Sequence, residues 1–175
     1  MTIIVGLVDD GKVYIGGDRG MSDKTFIGSM ISPKVQKVGP ILIGYAGSQG
    51  TGQLAHYLQY PKIPTDNVIK YVRTDFVRVL QKACEDYNVD VSDSEKAAAD
   101  FLVGVHGHLF EVNTEEWSVA EYDHIAIGSG YCYALGSLHA TSEFDLTPRA
   151  RVKMALEAST KYSPECQAPL DILVV

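Results

Sequence analysis

Runs of apolar residues divide the first part of the chain into short segments with the character of β-strands. Residues 2–8 and 12–17 are two β-rich runs on either side of Asp9-Asp10-Gly11. Asp-Gly between two such runs is among the stronger short-range signals for a hairpin. We therefore predict that these two runs are antiparallel neighbours.

A second hairpin is indicated about twenty residues further on. Residues 34–38 alternate polar and apolar side chains, Gly39-Pro40 is typical of a turn, and residues 41–46 are a continuous apolar run. We expect this outer strand, 41–46, to be buried on both faces. Between the two hairpins, residues 19–32 have too little periodicity to indicate an element, so we predict a loop with a short strand near Phe26.

Helical spacing replaces the strand pattern in the next segment. The glycines between Gly47 and Gly52 precede helix-forming residues, which predicts a turn from strand to helix and a helix that begins near Thr51. Over residues 66–83 the apolar positions recur at spacings of three and four, which predicts an amphipathic helix capped by Thr65 or Asp66. Residues 88–97 are polar and acidic, and we expect them at the surface.

The second half of the chain repeats this succession of strands followed by helices. A third hairpin is predicted around His106-Gly107-His108, and Thr147-Pro148 is typical of a helix N-cap followed by proline in the first turn. The predicted strands are 100–105, 109–112, 118–121, 124–127 and 170–175, and the predicted helices are 131–141 and 148–162.

Paired strands followed by paired helices, occurring twice, indicate an α+β fold in which two antiparallel sheets are covered by helices on the outside. The chain has 175 residues, of which 46% are hydrophobic, and no segment resembles a linker or an internal repeat. This length suits one compact core better than two. We therefore predict a single domain over residues 1–175.

Composition excludes several classes of function. The formal net charge is −7, whereas a nucleic-acid surface needs clustered Lys and Arg. No apolar run approaches the ~18 residues that suggest a membrane span, and the first residues lack the pattern of a signal peptide. The three cysteines, Cys84, Cys132 and Cys166, are widely spaced and odd in number, which favours free thiols in a reducing compartment. We expect a soluble, cytoplasmic protein that binds neither nucleic acid nor membrane.

The most specific chemical hypothesis starts from Thr2. A small residue behind Met1 permits routine removal of the methionine, and Thr2 would then carry a free α-amine. That amine can act as the base for the hydroxyl of the same residue, so that one residue supplies both a nucleophile and a base. Threonine after methionine is common, however, and alone it is more often structural than catalytic.

Further motifs along the chain make the hypothesis specific. Together with Thr2 they resemble, in order and over nearly the full length, the proteasome-type branch of the N-terminal-nucleophile hydrolases. The resemblance is greatest to the bacterial HslV-type peptidases, which work with an ATP-driven unfoldase ring. The resembling segments are Thr2-Ile-Ile-Val, Ile15-Gly-Gly-Asp18, Pro33-Lys34-Val, Tyr45-Ala-Gly47, Ala126-Ile-Gly-Ser-Gly130 and the helix around Met154-Ala-Leu.

The resemblance implies a role for five positions. Thr2 would be the nucleophile, Asp18 the buried acid, and Lys34 the lysine beside the hydroxyl. Gly47 would bind the oxyanion through its backbone N–H, and Ser129 would lie near the terminal amine. The family's fold is a four-layer α-β-β-α sandwich. The chain departs from the family pattern at Ser48, over residues 19–32 and over residues 163–166, and the last departure bears on an acidic partner for Ser129 and on a bound cation there.

The implied function is a threonine endopeptidase subunit that assembles into a homo-oligomeric ring, cleaves unfolded polypeptide delivered by an ATP-dependent unfoldase and needs no cofactor. Two alternatives remain open from the sequence. One is a non-catalytic ring or structural subunit with the same fold, and the other is an N-terminal-nucleophile amidase that acts on a small amide. The cleavage of the bond between Met1 and Thr2 separates the first alternative from the peptidase.

Two other motifs give weaker evidence of a function. Residues 47–52 have the glycine spacing of a phosphate-binding loop but end in Gln53-Leu54, without the lysine and hydroxyl that such a loop uses. His106 and His108 have no nearby cysteine or paired carboxylate, which favours a surface position over a zinc site. The sequence leaves open whether any metal binds.

Overall fold

The structure is a computed structural model that describes residues 2–22, 25–91 and 97–175. These residues form eleven strands and five α-helices. The strands are β1 (Ile4–Asp9), β2 (Lys12–Asp18), β3 (Gly20–Ser22), β4 (Ile27–Ser29), β5 (Val35–Val38), β6 (Ile41–Gly47), β7 (Ala99–Val105), β8 (His108–Asn113), β9 (Ser118–Tyr122), β10 (His124–Ile127) and β11 (Leu170–Val174). The helices are α1 (Gln49–Tyr57), α2 (Val68–Tyr71), α3 (Val77–Asp86), α4 (Tyr131–Ala140) and α5 (Pro148–Tyr162), and a π-helical turn over Val72–Phe76 joins α2 to α3.

The strands form two larger antiparallel sheets and one small hairpin. The first sheet has the order β10-β1-β2-β11, the second has the order β5-β6-β7-β8-β9, and β3 pairs with β4 alone. The three predicted hairpins are confirmed as β1–β2, β5–β6 and β7–β8. The chain is therefore an α+β protein with antiparallel sheets, as its pattern predicts.

Successive side chains along a strand point to opposite faces of the sheet, so each sheet contributes apolar side chains to the core on both faces. In β1, Ile4 faces a cluster shared between the two sheets, whereas Val5 faces the cluster beneath α4 and α5. In β6, Leu42 belongs to the shared cluster and Ile43 to the cluster beneath α1, α2 and α3. Residues of both sheets thus share one cluster, and each of the other two clusters combines residues of one sheet with residues of helices.

The structure corrects three of the sequence predictions. The continuous apolar run 41–46 is buried on both faces as expected, but β6 is an inner strand, because β7 pairs with its far side and leaves β5 at the edge. In the predicted loop 19–32, the short strand expected near Phe26 is present as β4, but it pairs with a further strand, β3, whose three residues are too few to show periodicity. The predicted helix 66–83 is interrupted by the π-helical turn.

Two helix starts differ slightly from prediction. Helix α1 begins at Gln49, because the hydroxyl of Ser48 accepts a hydrogen bond from the N–H of Thr51. The cap of α2 is Asn67 in place of Thr65 or Asp66, and its side chain accepts from the N–H of Lys70 at 3.3 Å. Thr147 caps α5 as predicted.

Several further expectations can be compared with the described residues. Asn88 and Asp90 are exposed, in line with the surface position expected for 88–97, and residues 92–96 of that segment lie outside the described part. All three cysteines are free. None of the helices in the described ranges is long and apolar enough to cross a membrane.

Candidate active site

The antiparallel topology brings the predicted site residues to one end of the two sheets. Thr2 precedes the start of β1, and Asp18 is the last residue of the neighbouring β2. Lys34 precedes the start of β5, and Gly47 ends the neighbouring β6. Because an antiparallel strand begins where its neighbour ends, the two residues of each pair lie at the same end of neighbouring strands. Ser129 follows β10, whose end pairs with the start of β1.

Lys34 connects the site residues of one sheet to those of the other. Its Nζ donates hydrogen bonds to Oγ1 of Thr2 at 2.6 Å and to Oδ1 of Asp18 at 2.9 Å. All three side chains are buried, with fractional exposures of 5% for Thr2, 0% for Asp18 and 3% for Lys34. The structure therefore brings together the three residues for which the sequence predicts a shared site.

Asp18 is held by main-chain donors from three directions. Its Oδ1 accepts from the N–H of Ile3 at 3.1 Å, and its Oδ2 accepts from the N–H groups of Gly20 and Gln167, each at 2.9 Å. Three backbone donors and one ammonium group offset the loss of water around a fully buried carboxylate. The position of this negative charge is consequently fixed relative to both Thr2 and Lys34.

The charge of Lys34 responds to the same burial. Burial lowers the pKa of its ammonium group, and the nearby Asp18 carboxylate and its hydrogen bond oppose that shift. A lysine with a lowered pKa loses its proton more easily than an exposed lysine does. Asp18 thus opposes the loss of the proton from Lys34, whose ammonium group lies beside the hydroxyl of Thr2.

A cleft of about 160 Å³ opens beside these residues. Gly47 lies at its rim, exposed, in a left-handed conformation with φ +97°. A Cβ at this position would lie 2.7 Å from the carbonyl oxygen of Ala98, so the backbone here requires glycine. The cleft is lined by Thr2, Gly20, Met21, Ser22, Met30, Lys34, Tyr45, Gly47 and Gln49.

The side chains of the cleft are mostly apolar or neutral. Tyr45 is almost fully buried, and burial raises its pKa to about 12, so its hydroxyl stays protonated at physiological pH. The amide Nε2 of Gln49 lies 2.8 Å from Sδ of Met30, which connects two sides of the cleft. Among the described residues that line the cleft, Lys34, which is paired with Asp18, carries the one charge.

Ser129 is connected to Thr2 less directly than Lys34 is. Its hydroxyl donates a long hydrogen bond of 3.4 Å to the backbone carbonyl of Thr2. Gly128 brings the chain this close, because its φ is +89° and a Cβ there would collide with the same carbonyl. Burial raises the pKa of the neighbouring Cys166 thiol, and hydrogen bonds with Ser163 and Ser129 partly offset that shift. A thiol thus stands beside Ser129.

Several contributors to the site carry no signal in the sequence. The donors from Gly20 and Gln167 are backbone N–H groups, which every residue except proline possesses. Met21 and Met30 lie in the segment whose periodicity is too weak to place them. Among the described residues, no group of three or more His, Cys, Asp or Glu side chains is arranged to hold a metal ion. Met1, whose removal the catalytic hypothesis requires, lies outside the described part of the chain.

Comparison with known proteins identifies the fold. No family model matches the sequence, and no curated protein matches it. Solved structures match over nearly the whole chain. BPH from Thiobacillus denitrificans is 21% identical with a TM-score of 0.81, and its complex with epoxomicin is 19% identical with a TM-score of 0.79. In both cases the alignment covers 99% of this chain and 97% of the other.

A third similar structure is eukaryotic HslV from Trypanosoma brucei, at 18% identity and a TM-score of 0.72, with 98% of each chain covered. At these identities the likeness establishes a shared fold. The chain therefore has the fold of HslV-type proteins that its motifs resemble.

Proposed function

We propose that the chain is a threonine-type peptidase subunit in which Thr2, once the bond between Met1 and Thr2 is cut, is the N-terminal nucleophile. The observation that carries this proposal is the position of the Lys34 ammonium group, 2.6 Å from Oγ1 of Thr2 and 2.9 Å from Oδ1 of Asp18. A buried charge that contacts a hydroxyl is expected where that hydroxyl develops negative charge.

Two groups of Thr2 take part in the proposed reaction, the α-amine as the base and the side-chain hydroxyl as the nucleophile. The free α-amine of Thr2, with a reference pKa near ~8, takes the proton of Oγ1 directly or through a water molecule. The oxygen then attacks the carbonyl carbon of the substrate. When the tetrahedral intermediate collapses, the C–N bond breaks, the amine passes its proton to the leaving nitrogen and an ester to Thr2 remains. Water hydrolyses that ester and restores the free hydroxyl.

Lys34 and Asp18 create the electrostatic conditions for this step. The positive charge of Lys34 stabilises a developing alkoxide on Oγ1 and keeps the pKa of the nearby amine from rising. Asp18 compensates for the burial of that positive charge and fixes its position. Since three of the four donors to Asp18 are main-chain N–H groups, the carboxylate is positioned before any substrate binds.

Gly47 and Ser129 complete the proposed site. Gly47 lines the same cleft as Thr2, and its backbone N–H would stabilise the oxyanion of the tetrahedral intermediate. Ser129 lies next to the backbone of Thr2, where its hydroxyl would orient the terminal amine. Met21 is 45% exposed and Gly47 is also exposed, so the cleft is open toward solvent, which favours a peptide chain over a small enclosed amide as substrate.

The similar structures support the same proposal for the whole molecule. BPH was determined in complex with epoxomicin, and we propose that the cleft beside Thr2 binds epoxomicin in this chain too. By analogy with HslV, we propose that residues 1–175 form one domain with a four-layer α-β-β-α arrangement, and that copies of it assemble into a ring. Such a ring would act in the cytoplasm on unfolded polypeptide supplied by an ATP-dependent unfoldase.

The decisive experiment compares the wild-type protein with Thr2→Ala and Thr2→Ser on short fluorogenic peptides. We expect Thr2→Ala to abolish cleavage and Thr2→Ser, which keeps a hydroxyl, to retain part of it. Intact mass of the same samples should show that Met1 is absent from the active protein. Full cleavage by Thr2→Ala would refute the proposal, and so would an active protein that retains Met1.

The same samples separate the alternatives. A structural subunit would show no cleavage in the wild type and no binding of epoxomicin. An amidase would hydrolyse small amides and leave peptides intact. Sedimentation velocity at micromolar concentration tests assembly, and a stable monomer would refute the proposed ring.

A further inference from the structure

We propose that Arg19 is a positioning residue that holds in place the side of the cleft formed by Met30, here called the Met30 wall. It thereby controls how tightly the site binds a substrate side chain. The inference rests on the proposed peptidase function in so far as it concerns substrate. It follows from the two chain segments that Arg19 connects, each of which contacts the site.

The side chain of Arg19 uses all three of its nitrogen atoms. Nε and Nη2 donate to the two carboxylate oxygens of Asp171 at 2.6 and 2.7 Å, which is a bidentate ion pair. Nη1 donates to the backbone carbonyl of Ile31 at 2.5 Å. The guanidinium group therefore joins β11, where Asp171 lies, to the segment that follows β4.

The backbone of Arg19 makes a second set of connections. Its N–H donates to the carbonyl groups of Gln167 and Pro169 at 3.3 and 3.1 Å, and its carbonyl accepts from the N–H of Met30 at 2.8 Å. Ser29 adds one more link, because its hydroxyl donates to the carbonyl of Ala168 at 2.7 Å. Two chain segments, 29–31 and 167–171, thus meet at Arg19.

These two segments reach the site by different routes. Met30 lines the cleft and contacts Gln49, which also lines it. Gln167 donates its N–H to Asp18, but that bond belongs to the backbone and does not pass through the guanidinium group. The Arg19 side chain acts on the Met30 side, whereas Asp18 and Lys34 keep their own bonds without it.

Arginine suits this position because its planar group offers donors in fixed directions. Lysine would provide one ammonium group, which cannot reproduce the bidentate pair and the bond to Ile31 together. Without the guanidinium group, Met30 would keep its backbone bond to Arg19, but Ile31 would lose the link through Arg19 to Asp171 of β11. The wall would then remain in place on average but fit a substrate side chain less closely.

Steady-state kinetics on fluorogenic peptides test the inference. We expect Arg19→Ala to raise KM by about tenfold and to change kcat by less than about threefold, because the wall binds substrate and the reacting groups are untouched. Arg19→Lys should lie between the wild type and Arg19→Ala. Asp171→Asn should raise KM less than Arg19→Ala does, and adding it to Arg19→Ala should have little further effect, since the two residues act as one pair. Arg78→Ala, at an exposed arginine of α3, is the matched control and should leave both constants unchanged.

Three results of these assays would overturn the inference. A fall in kcat with unchanged KM, or unchanged kinetics in Arg19→Ala, would overturn the inference. Fully additive effects of Arg19→Ala and Asp171→Asn would also overturn it. If Arg19→Ala does not fold, Arg19→Lys and Asp171→Asn still test the split between KM and kcat.

A second measurement does not depend on activity. In protein labelled with ¹³C at the methionine methyl groups, Arg19→Ala should shift the Met30 signal and leave that of Met154, on α5, unchanged; Met30→Leu assigns the signal. If the wild type cleaves no peptide, the proposed function fails while a shifted Met30 signal still supports the role of Arg19 in holding the wall. An unchanged Met30 signal overturns that role even in an active enzyme.

Discussion

The ammonium nitrogen of Lys34 lies 2.6 Å from the hydroxyl oxygen of Thr2 across the boundary between two β-sheets. Lys34 precedes β5 in one sheet, and Thr2 precedes β1 in the other. A lysine this deeply buried is retained only where another group compensates for its charge, and Asp18 at the end of β2 provides that group. The contact between Thr2 and Lys34 is the basis of the first prediction.

Replacing Lys34 by Met keeps most of the side-chain volume and removes the charge. We expect the kcat for peptide cleavage to fall by roughly a hundredfold or more, because the developing alkoxide loses its positive neighbour. The free energy of unfolding should fall by about 3 kcal/mol, since the Asp18 carboxylate keeps only its backbone donors. Peptidase assays and urea unfolding measure the two effects.

The matched control is Lys37→Met, on the exposed face of β5. It should change neither quantity appreciably. Near-normal cleavage by Lys34→Met would show that Lys34 has a structural role alone.

Asp18→Asn tests the opposite member of the ion pair. The amide has nearly the shape of the carboxylate, but its NH₂ group would face Lys34 or the N–H groups of Gly20 and Gln167, all of which are donors. We expect a loss of about 3–5 kcal/mol in the free energy of unfolding, because the charge of Lys34 is left buried without its partner. Cleavage should fall along with stability.

Urea unfolding of Asp18→Asn and of Asp145→Asn, at an exposed aspartate, gives the comparison. The control should differ from the wild type by less than about 0.5 kcal/mol. Equal stability of Asp18→Asn and the wild type would mean that Lys34 does not depend on the carboxylate.

Gly47→Ala tests the backbone at the rim of the cleft. Its φ of +97° disfavours any residue with a Cβ, and the added carbon would press on the carbonyl of Ala98. We expect a loss of about 1–3 kcal/mol in stability and a decrease in kcat of at least about tenfold, because the oxyanion donor moves.

Gly50→Ala, three residues further on in α1, is the matched control. A Cβ there meets nothing within 4 Å, and alanine favours the helix by about 0.5–1 kcal/mol over glycine. If both variants have the wild-type kcat, the backbone of Gly47 takes no part in the reaction.

His56 predicts a pH dependence of stability. It is 6% exposed, its Nε2 lies 3.2 Å from the carbonyl of Ile43, and among the described residues its Nδ1 has no hydrogen-bond partner. Burial lowers the pKa of His56 from 6.5 to about 4. Because the folded pKa lies below the unfolded one, the unfolded state binds a proton first as the pH falls. Stability is therefore complete above pH 6.5 and decreases toward pH 4, by up to roughly 3 kcal/mol.

Urea unfolding at a fixed protein concentration between pH 7.5 and 4 measures this effect. His56→Gln, which can still donate to Ile43, should lose stability less steeply over the same range. His139→Gln, at an exposed histidine of α4, should follow the wild type. An identical pH dependence in His56→Gln and the wild type would contradict the assignment to His56.

The sequence by itself predicted most of the strands and helices and the main candidate residues of the site. Hairpins such as β1–β2 were predictable because the alternation of apolar residues and the Asp10-Gly11 turn are local features of the chain. Thr2 was a candidate because its hydroxyl and α-amine can supply a nucleophile and a base. Asp18 and Lys34 were predicted from the resemblance of their motifs to the proteasome-type hydrolases.

Only the tertiary structure decided how these pieces meet. The inner position of β6 depends on its pairing with β7, which is separated from it by three helices along the chain. The donors from Gly20 and Gln167 to Asp18 are backbone groups that any sequence offers, and Arg19 and Asp171 form their pair 152 residues apart. Local patterns specify side chains and elements, whereas long-range pairing of strand ends fixes the distances on which the proposed catalysis depends.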